Sequence, residues 1–86
     1  MASVFETAVE DVKQLSKDPG NEAKLRLYAL YKQSTVGDVQ GKRPGFADFV
    51  GKFKYDAWAQ LAGTSPQDAQ AQYVAYVEEL KAADAG

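Results

Sequence analysis

Four stretches of this chain carry apolar residues at steps of three and four, and no stretch alternates apolar and polar residues with period two. That spacing lays a stripe along a helix and cannot line one face of a strand, so the fold class is all-α. The breaks between the stretches are rich in Gly and Pro, the residues that stop a helix most firmly.

The first stretch is predicted to be helical from Ser3 to Ser16. Ser3 followed by Glu6 fits a capping box, and Phe5, Val9, Val12 and Leu15 form the stripe. Asp18-Pro19-Gly20 ends it. The second stretch runs from Asn21, read as the N-cap, to Val36. Leu25, Tyr28 and Lys32 align along it, with Leu27 and Tyr31 flanking, and Gly37 can stop it as a left-handed residue. The segment Gly37–Gly45 holds three Gly and one Pro, and so reads as a long loop. It lets the next helix run parallel to the previous one.

The third stretch is predicted from Asp48 to Ala62. Phe49, Phe53, Ala57 and Leu61 line one face; Val50, Lys54 and Trp58 line an adjoining one. Gly51 weakens its first turn by about 1 kcal/mol against Ala. Ser65 as N-cap and Pro66 at the first helical position open the fourth stretch. There Ala69, Tyr73, Val77 and Leu80 repeat in register, and Ala82 to Gly86 are expected to fray. Four helices with three connections, one of them long, make a four-helix bundle.

Composition narrows the chemistry. The chain has no Cys and no His. Disulfides and thiolate chemistry are excluded, and the commonest metal ligand and commonest general acid/base are missing. Eighty-six residues with 45% hydrophobic content give one domain, 1–86, with one modest core. A formal net charge of −2 and a pI of about 5 argue against a nucleic-acid partner. No apolar run approaches the roughly 18 residues of a membrane span, so no stable membrane insertion is expected. No basic region followed by an apolar stretch opens the chain, so no secretory signal is expected and the cytoplasm is the expected compartment.

Short motifs add no catalysis. Gly37–Gly45 lacks the Gly-Lys-[Ser/Thr] ending of a phosphate loop. Asp38, Asp48 and Asp56 lack calcium-loop spacing. Glu78 and Glu79 are adjacent, and so point apart on a helix. No nucleophile–base pair is visible, and the chain is not expected to be an enzyme.

One group invites a binding reading. Tyr28, Tyr31 and Lys32 lie three and four apart and can reach one patch. Spacing alone favours two core tyrosines beside a solvated lysine. A phenol can pack its ring inward and offer its hydroxyl at the rim, and a Lys beside it is a point charge for a phosphate. Lys13 and Lys54 read by themselves as surface residues, and Tyr73 and Trp58 as packing.

Taken together, Leu27-Tyr28-Ala29-Leu30-Tyr31-Lys32-Gln33-Ser34-Thr35-Val36-Gly37-Asp38-Val39 resembles the signature of the acyl-CoA-binding protein family. Arg43-Pro44-Gly45 follows at that family's spacing, and Gly51-Lys52-Phe53-Lys54-Tyr55-Asp56-Ala57-Trp58 is similar to its Gly-Lys-x-Lys-[Trp/Tyr]-Asp-x-Trp segment. Leu61-x-Gly63-Thr64-Ser65 and Ala69-x-x-x-Tyr73-Val74 extend the likeness, which spans roughly Phe5 to Leu80.

The resemblance implies an up-down-down-up bundle and a single acyl-CoA-binding domain. It implies a cytoplasmic, monomeric, non-enzymatic carrier and buffer of long-chain acyl-CoA, without any cofactor. By position, Tyr28, Lys32 and Lys54 would contact the 3′-phosphate and adenine end of the ligand. Lys13 and Tyr73 match further head-group contacts, and Ala29, Leu30 and Tyr31 complete the binding stretch. Asp18 and Val50 stand where many members have Lys, and Lys24 sits beside Leu25 on the expected tail path. A competing reading, an interaction module that kept the fold and lost the ligand, draws only on positions 18 and 50.

Overall fold

Local signals set each helix of the computed structural model, which describes residues 3–85. Helix α1 covers Val4–Val12, and the Ser3 hydroxyl accepts the Glu6 N–H at 3.0 Å. It stops four residues short of the expected end. The Lys13 and Gln14 N–H groups bond carbonyls three residues back, at 3.1 and 2.9 Å, which tightens the last turn and turns the chain out of the helix.

Helix α2 covers Asn21–Thr35. Its N-cap is Gly20 and not Asn21. The Asp18 carboxylate accepts the Gly20 N–H at 2.8 Å, and Gly20 adopts a φ of 95°, which closes the turn one residue earlier than expected. At the other end Gly37 is left-handed, with φ 100°, and its N–H returns to the Lys32 carbonyl.

Helix α3 covers Phe49–Ala59. Asp48 caps it by accepting the Gly51 N–H at 2.9 Å. A Cβ at Gly51 would collide with that capping carboxylate, so the glycine that weakens the turn by propensity also makes room for its cap. From Gln60 to Gly63 the chain continues in turns rather than helix.

Helix α4 covers Pro66–Ala85, with the Ser65 hydroxyl accepting the Asp68 N–H at 3.0 Å. The expected fraying from Ala82 is not seen through Ala85, and Gly86 lies outside the described residues. The Asp84 carboxylate accepts from the Ser16 N–H, the Ser16 hydroxyl and the Lys17 N–H at 2.9–3.0 Å, tying the end of α4 to the α1–α2 connection.

Long-range contacts fix the helix directions. Phe5 meets Tyr73 and Asp11 meets Lys81, so α1 and α4 run parallel. The Gln33 amide donates to the Thr64 carbonyl at 2.7 Å, joining the end of α2 to the start of α4, which therefore run antiparallel. The start of α2 lies along Val50 and Phe53 of α3, while the Trp58 indole N–H donates to the Gly37 carbonyl at 2.8 Å. Helices α2 and α3 are thus parallel, as the long loop permits. The result is an all-α, up-down-down-up four-helix bundle.

Helix α2 is the centre of the bundle, packing on α3 and on α4, while α1 packs on α4. Ala23, Leu27, Leu30 and Ser34 form its buried stripe, and Leu27 and Leu30 pack with Ala8, Tyr73 and Val77. The stripe Leu25–Tyr28–Lys32 is only half-buried and faces α3. On the sequence Phe49 and Phe53 share one apolar face with Ala57 and Leu61. Phe49 and Phe53 are exposed, because α3 has a single neighbouring helix and buries only Trp58 fully.

Candidate functional site

Tyr28 projects from the middle of α2 and is flanked by two cations from two helices. The Lys54 Nζ, from α3, lies 5.3 Å from the centre of its ring. The Lys32 Nζ, one turn along α2, lies 6.0 Å from that ring and 5.5 Å from the ring of Trp58. These are cation–π distances. Trp58 is buried and fixed by its bond to Gly37, so it gives Lys32 a rigid floor. Among the described residues neither Lys32 nor Lys54 is paired with a carboxylate. Two ammonium groups held near one ring, with no internal counter-ion, are poised for an anion such as a phosphate.

Two depressions meet at Tyr28. One, of about 440 Å³, lies between α1 and α2 and is lined by Val9, Val12, Lys13, Lys24, Leu27, Tyr28, Tyr31 and Tyr73. The other, of about 360 Å³, lies between α2 and α3 and is lined by Asn21, Lys24, Leu25, Tyr28, Val50, Phe53 and Lys54. Sharing Lys24 and Tyr28, they form one groove, with Tyr31 and Tyr73 at its more aromatic end and Leu25, Val50 and Phe53 at the other. At the aromatic end Phe5 stacks near Tyr31, with ring centres 6.0 Å apart, and meets Tyr73 edge-on at 5.2 Å. Burial pushes the Tyr73 phenol above its ordinary value, so it stays a neutral hydrogen-bonding group.

Six of the eight residues expected at a site are thus gathered: Lys13, Tyr28, Tyr31, Lys32, Lys54 and Tyr73. Lys13 lines the groove while its ammonium rests 3.3 Å from Glu10. Ala29 and Leu30 are not brought there. They are 3% and 1% exposed: Leu30 belongs to the core with Leu27, Tyr73 and Val77, and both residues lie at the base of a separate depression of about 230 Å³ with Ala57, Leu61 and Tyr76. The reason is helical geometry: one and two residues past Tyr28 lie about 100° and 200° around the helix. Their place in a contiguous sequence signature reflects the bundle core.

Lys24 and Leu25, expected beside the tail path, line the groove, and the structure adds wall residues not singled out as contacts: Val9, Val12, Val50 and Phe53. Lys24 also answers for Asp18. Its Nζ lies 2.9 Å from the Asp18 carboxylate, and that contact, with the Gly20 N–H, holds the Asp18 carboxyl below its usual range.

The connections that frame the groove are anchored. Arg43 grips Asp56 through two bonds of 2.7 and 2.8 Å, and the Tyr55 hydroxyl donates to the Gly41 carbonyl at 3.0 Å. Asp38 accepts from the Gly63 N–H and the Gln33 amide, and those bonds lower its carboxyl pKa. Among the described residues no group of His, Cys, Asp or Glu could hold a metal ion.

The fold and the groove define a class: a small helical bundle with unpaired lysines, among the described residues, beside an apolar groove. Comparison with known proteins narrows the class. The family model described as "Acyl CoA binding protein" matches residues 2–77, and the chain belongs to that family. It is 48% identical over 80 residues to "Acyl-CoA-binding protein homolog 1" of Caenorhabditis elegans, covering 93% of each chain. It is 53% identical over 76 residues to "Enoyl-CoA delta isomerase 2" of Rattus norvegicus, covering 88% of this chain and 19% of that longer protein. The crystal structure of Oryza sativa acyl-CoA-binding protein 2 superposes with a TM-score of 0.92 at 40% identity, covering 96% of this chain and 90% of that one.

Proposed function

We propose that this chain binds long-chain acyl-CoA and acts as a monomeric, non-catalytic carrier and buffer of these thioesters in the cytoplasm, with residues 1–86 forming one acyl-CoA-binding domain. One observation carries the reading: Lys32 and Lys54 flank Tyr28, unpaired among the described residues, where a tyrosine-rich depression meets one walled by Leu25, Val50 and Phe53. In this reading the two ammonium groups and the Tyr28 hydroxyl grip the 3′-phosphate. Tyr31, Tyr73 and Lys13 receive the rest of the head group. Leu25, Val50 and Phe53 receive the acyl chain.

Magnitudes assign roles to the two ends. Each charge-assisted bond to a phosphate contributes about 1.5–3 kcal/mol. A buried methylene contributes about 0.8 kcal/mol, so a sixteen-carbon tail supplies on the order of 12 kcal/mol gross, against an association cost of about 4–15 kcal/mol. The tail sets affinity and the phosphate sets identity.

Titration calorimetry with palmitoyl-CoA and free CoA tests the proposal. Palmitoyl-CoA is expected to bind far more tightly. Equal affinities would refute burial of the tail.

A further inference from the structure

The first turn of α3 and the loop before it present an apolar surface that no helix of the bundle covers. Phe46 is 83% exposed, Phe49 63%, Val50 64% and Phe53 57%. Positions 49, 50 and 53 fall on one face of α3, with Phe46 just ahead of its first turn. Val50 and Phe53 wall the groove, but Phe46 and Phe49 do not line it. A cluster of exposed aromatics outside a ligand groove marks a contact surface.

Charge identifies what the surface fits. Residues 42–56 hold four basic and two acidic side chains, in a chain whose formal net charge is −2. Both acids are engaged locally: Asp48 caps α3, and Asp56 is gripped by Arg43. Lys42, Lys52 and Lys54 are therefore without a carboxylate partner among the described residues, and the Lys52 Nζ stands 5.6 Å from the Phe49 ring centre. Exposed phenyl rings with one ammonium group against them, on a segment carrying further lysines without carboxylate partners, match a surface that is anionic outside and apolar just beneath. A second copy of the chain would set like charges against each other.

We propose that this patch docks on bilayers containing anionic phospholipid, with Phe46 and Phe49 in the interface and Lys42 and Lys52 against the headgroups. The contact is peripheral, since no described helix is long and apolar enough to cross a membrane. It does not depend on the carrier reading, but it would bring the groove mouth to a membrane surface.

The test is sedimentation of the ligand-free protein with phosphatidylcholine vesicles, with and without phosphatidylserine. Phosphatidylserine is expected to raise binding on the order of tenfold. Lys42→Gln/Lys52→Gln should remove that preference, and Phe46→Ala/Phe49→Ala should abolish most binding. All four side chains are exposed or half-exposed, and unchanged thermal melts would confirm folding. Palmitoyl-CoA affinity measured without vesicles should be the same in wild type and both variants. Indifference of the wild type to phosphatidylserine, or wild-type vesicle binding by Phe46→Ala/Phe49→Ala, overturns the proposal. So does a dimer in ultracentrifugation that this variant loses without any vesicle binding by the wild type, which would give the patch to a second copy. Vesicle docking by a protein that fails to bind palmitoyl-CoA would leave the docking surface standing and refute the carrier function.

Discussion

Replacing Tyr28 with Phe deletes one oxygen and keeps the ring between Lys32 and Lys54. Among the described residues the Tyr28 hydroxyl engages no hydrogen-bond partner and is not a buried unpaired atom, so it faces the groove and water. Tyr28→Phe should therefore leave the ligand-free protein within about 0.5 kcal/mol of wild type, a shift in melting temperature of no more than about 4 °C for a chain of this size. If the hydroxyl bonds the 3′-phosphate, a bond to a charged group worth about 1.5–3 kcal/mol is lost. That is about a 10- to 150-fold loss of affinity for palmitoyl-CoA. Calorimetry supplies the affinities and circular dichroism the melt. Palmitoyl-dephospho-CoA is the internal control, because its binding should scarcely change. A melting point lowered by about 8 °C or more, with affinity intact, would show that Tyr28 serves the fold and would refute the assignment.

Other expectations are simpler to state. Lys54→Ala should shrink the affinity gap between palmitoyl-CoA and palmitoyl-dephospho-CoA; an unchanged gap in calorimetry would make Lys54 a surface residue only. Leu30→Ala, at a position 1% exposed, should cost about 2–5 kcal/mol in urea unfolding, while the folded fraction still binds; a loss of binding without a loss of stability would return Leu30 to the site. Gly51→Ala should destabilise the protein by about 1 kcal/mol through the disturbed Asp48 cap, against the usual gain from replacing a helical Gly; a raised melting temperature would contradict the crowding at that cap. Asp18, Asp38, Asp56 and Asp84 all have carboxyls held below the ordinary 3.8 by hydrogen bonds. Because these pKa values are depressed in the folded state, their stabilisation is present above the unfolded value and lost as pH falls through the folded values. The urea midpoint should therefore fall below about pH 4, less steeply in Asp84→Asn, and an identical acid limb for that variant would refute the role of Asp84.

The helices were legible because their signals are local. Ser3, Asp48 and Ser65 each accept an N–H three residues on, and Gly37 and Gly63 take left-handed conformations behind α2 and before α4. The ends that differed from expectation depend on partners distant in sequence or on turn geometry. Asp84 lies 68 residues from Ser16, and no local rule announces that their pairing will hold the last turn of α4. Gly20 displaced Asn21 as N-cap because the Asp18 side chain closed the turn first, a competition between two good local solutions. The outward stripe on α3 was hidden for a related reason: periodicity shows that a helix has apolar faces, and the number of neighbours decides how many are buried.

The same limit governs the site. Tyr28, Lys32 and Lys54 were reachable from sequence, since two share a helix face and the resemblance supplied the third. Ala29 and Leu30 came with the signature although they belong to the core, because a contiguous motif on a helix must wrap all sides of it. The departures at positions 18 and 24 read differently in three dimensions. Asp18 alone would make the groove less basic, but Lys24 lies 2.9 Å away and lines both halves of the groove. The local charge is nearly balanced, because the Lys24 ammonium offsets the Asp18 carboxylate. An ammonium tethered to Asp18 is only partly available to a phosphate and stands where the tail would leave Tyr28. Under the proposed carrier reading Lys24 would bear on tail path more than on head-group affinity, and the two lysines beside Tyr28, unpaired among the described residues, would be the charge that a phosphate finds.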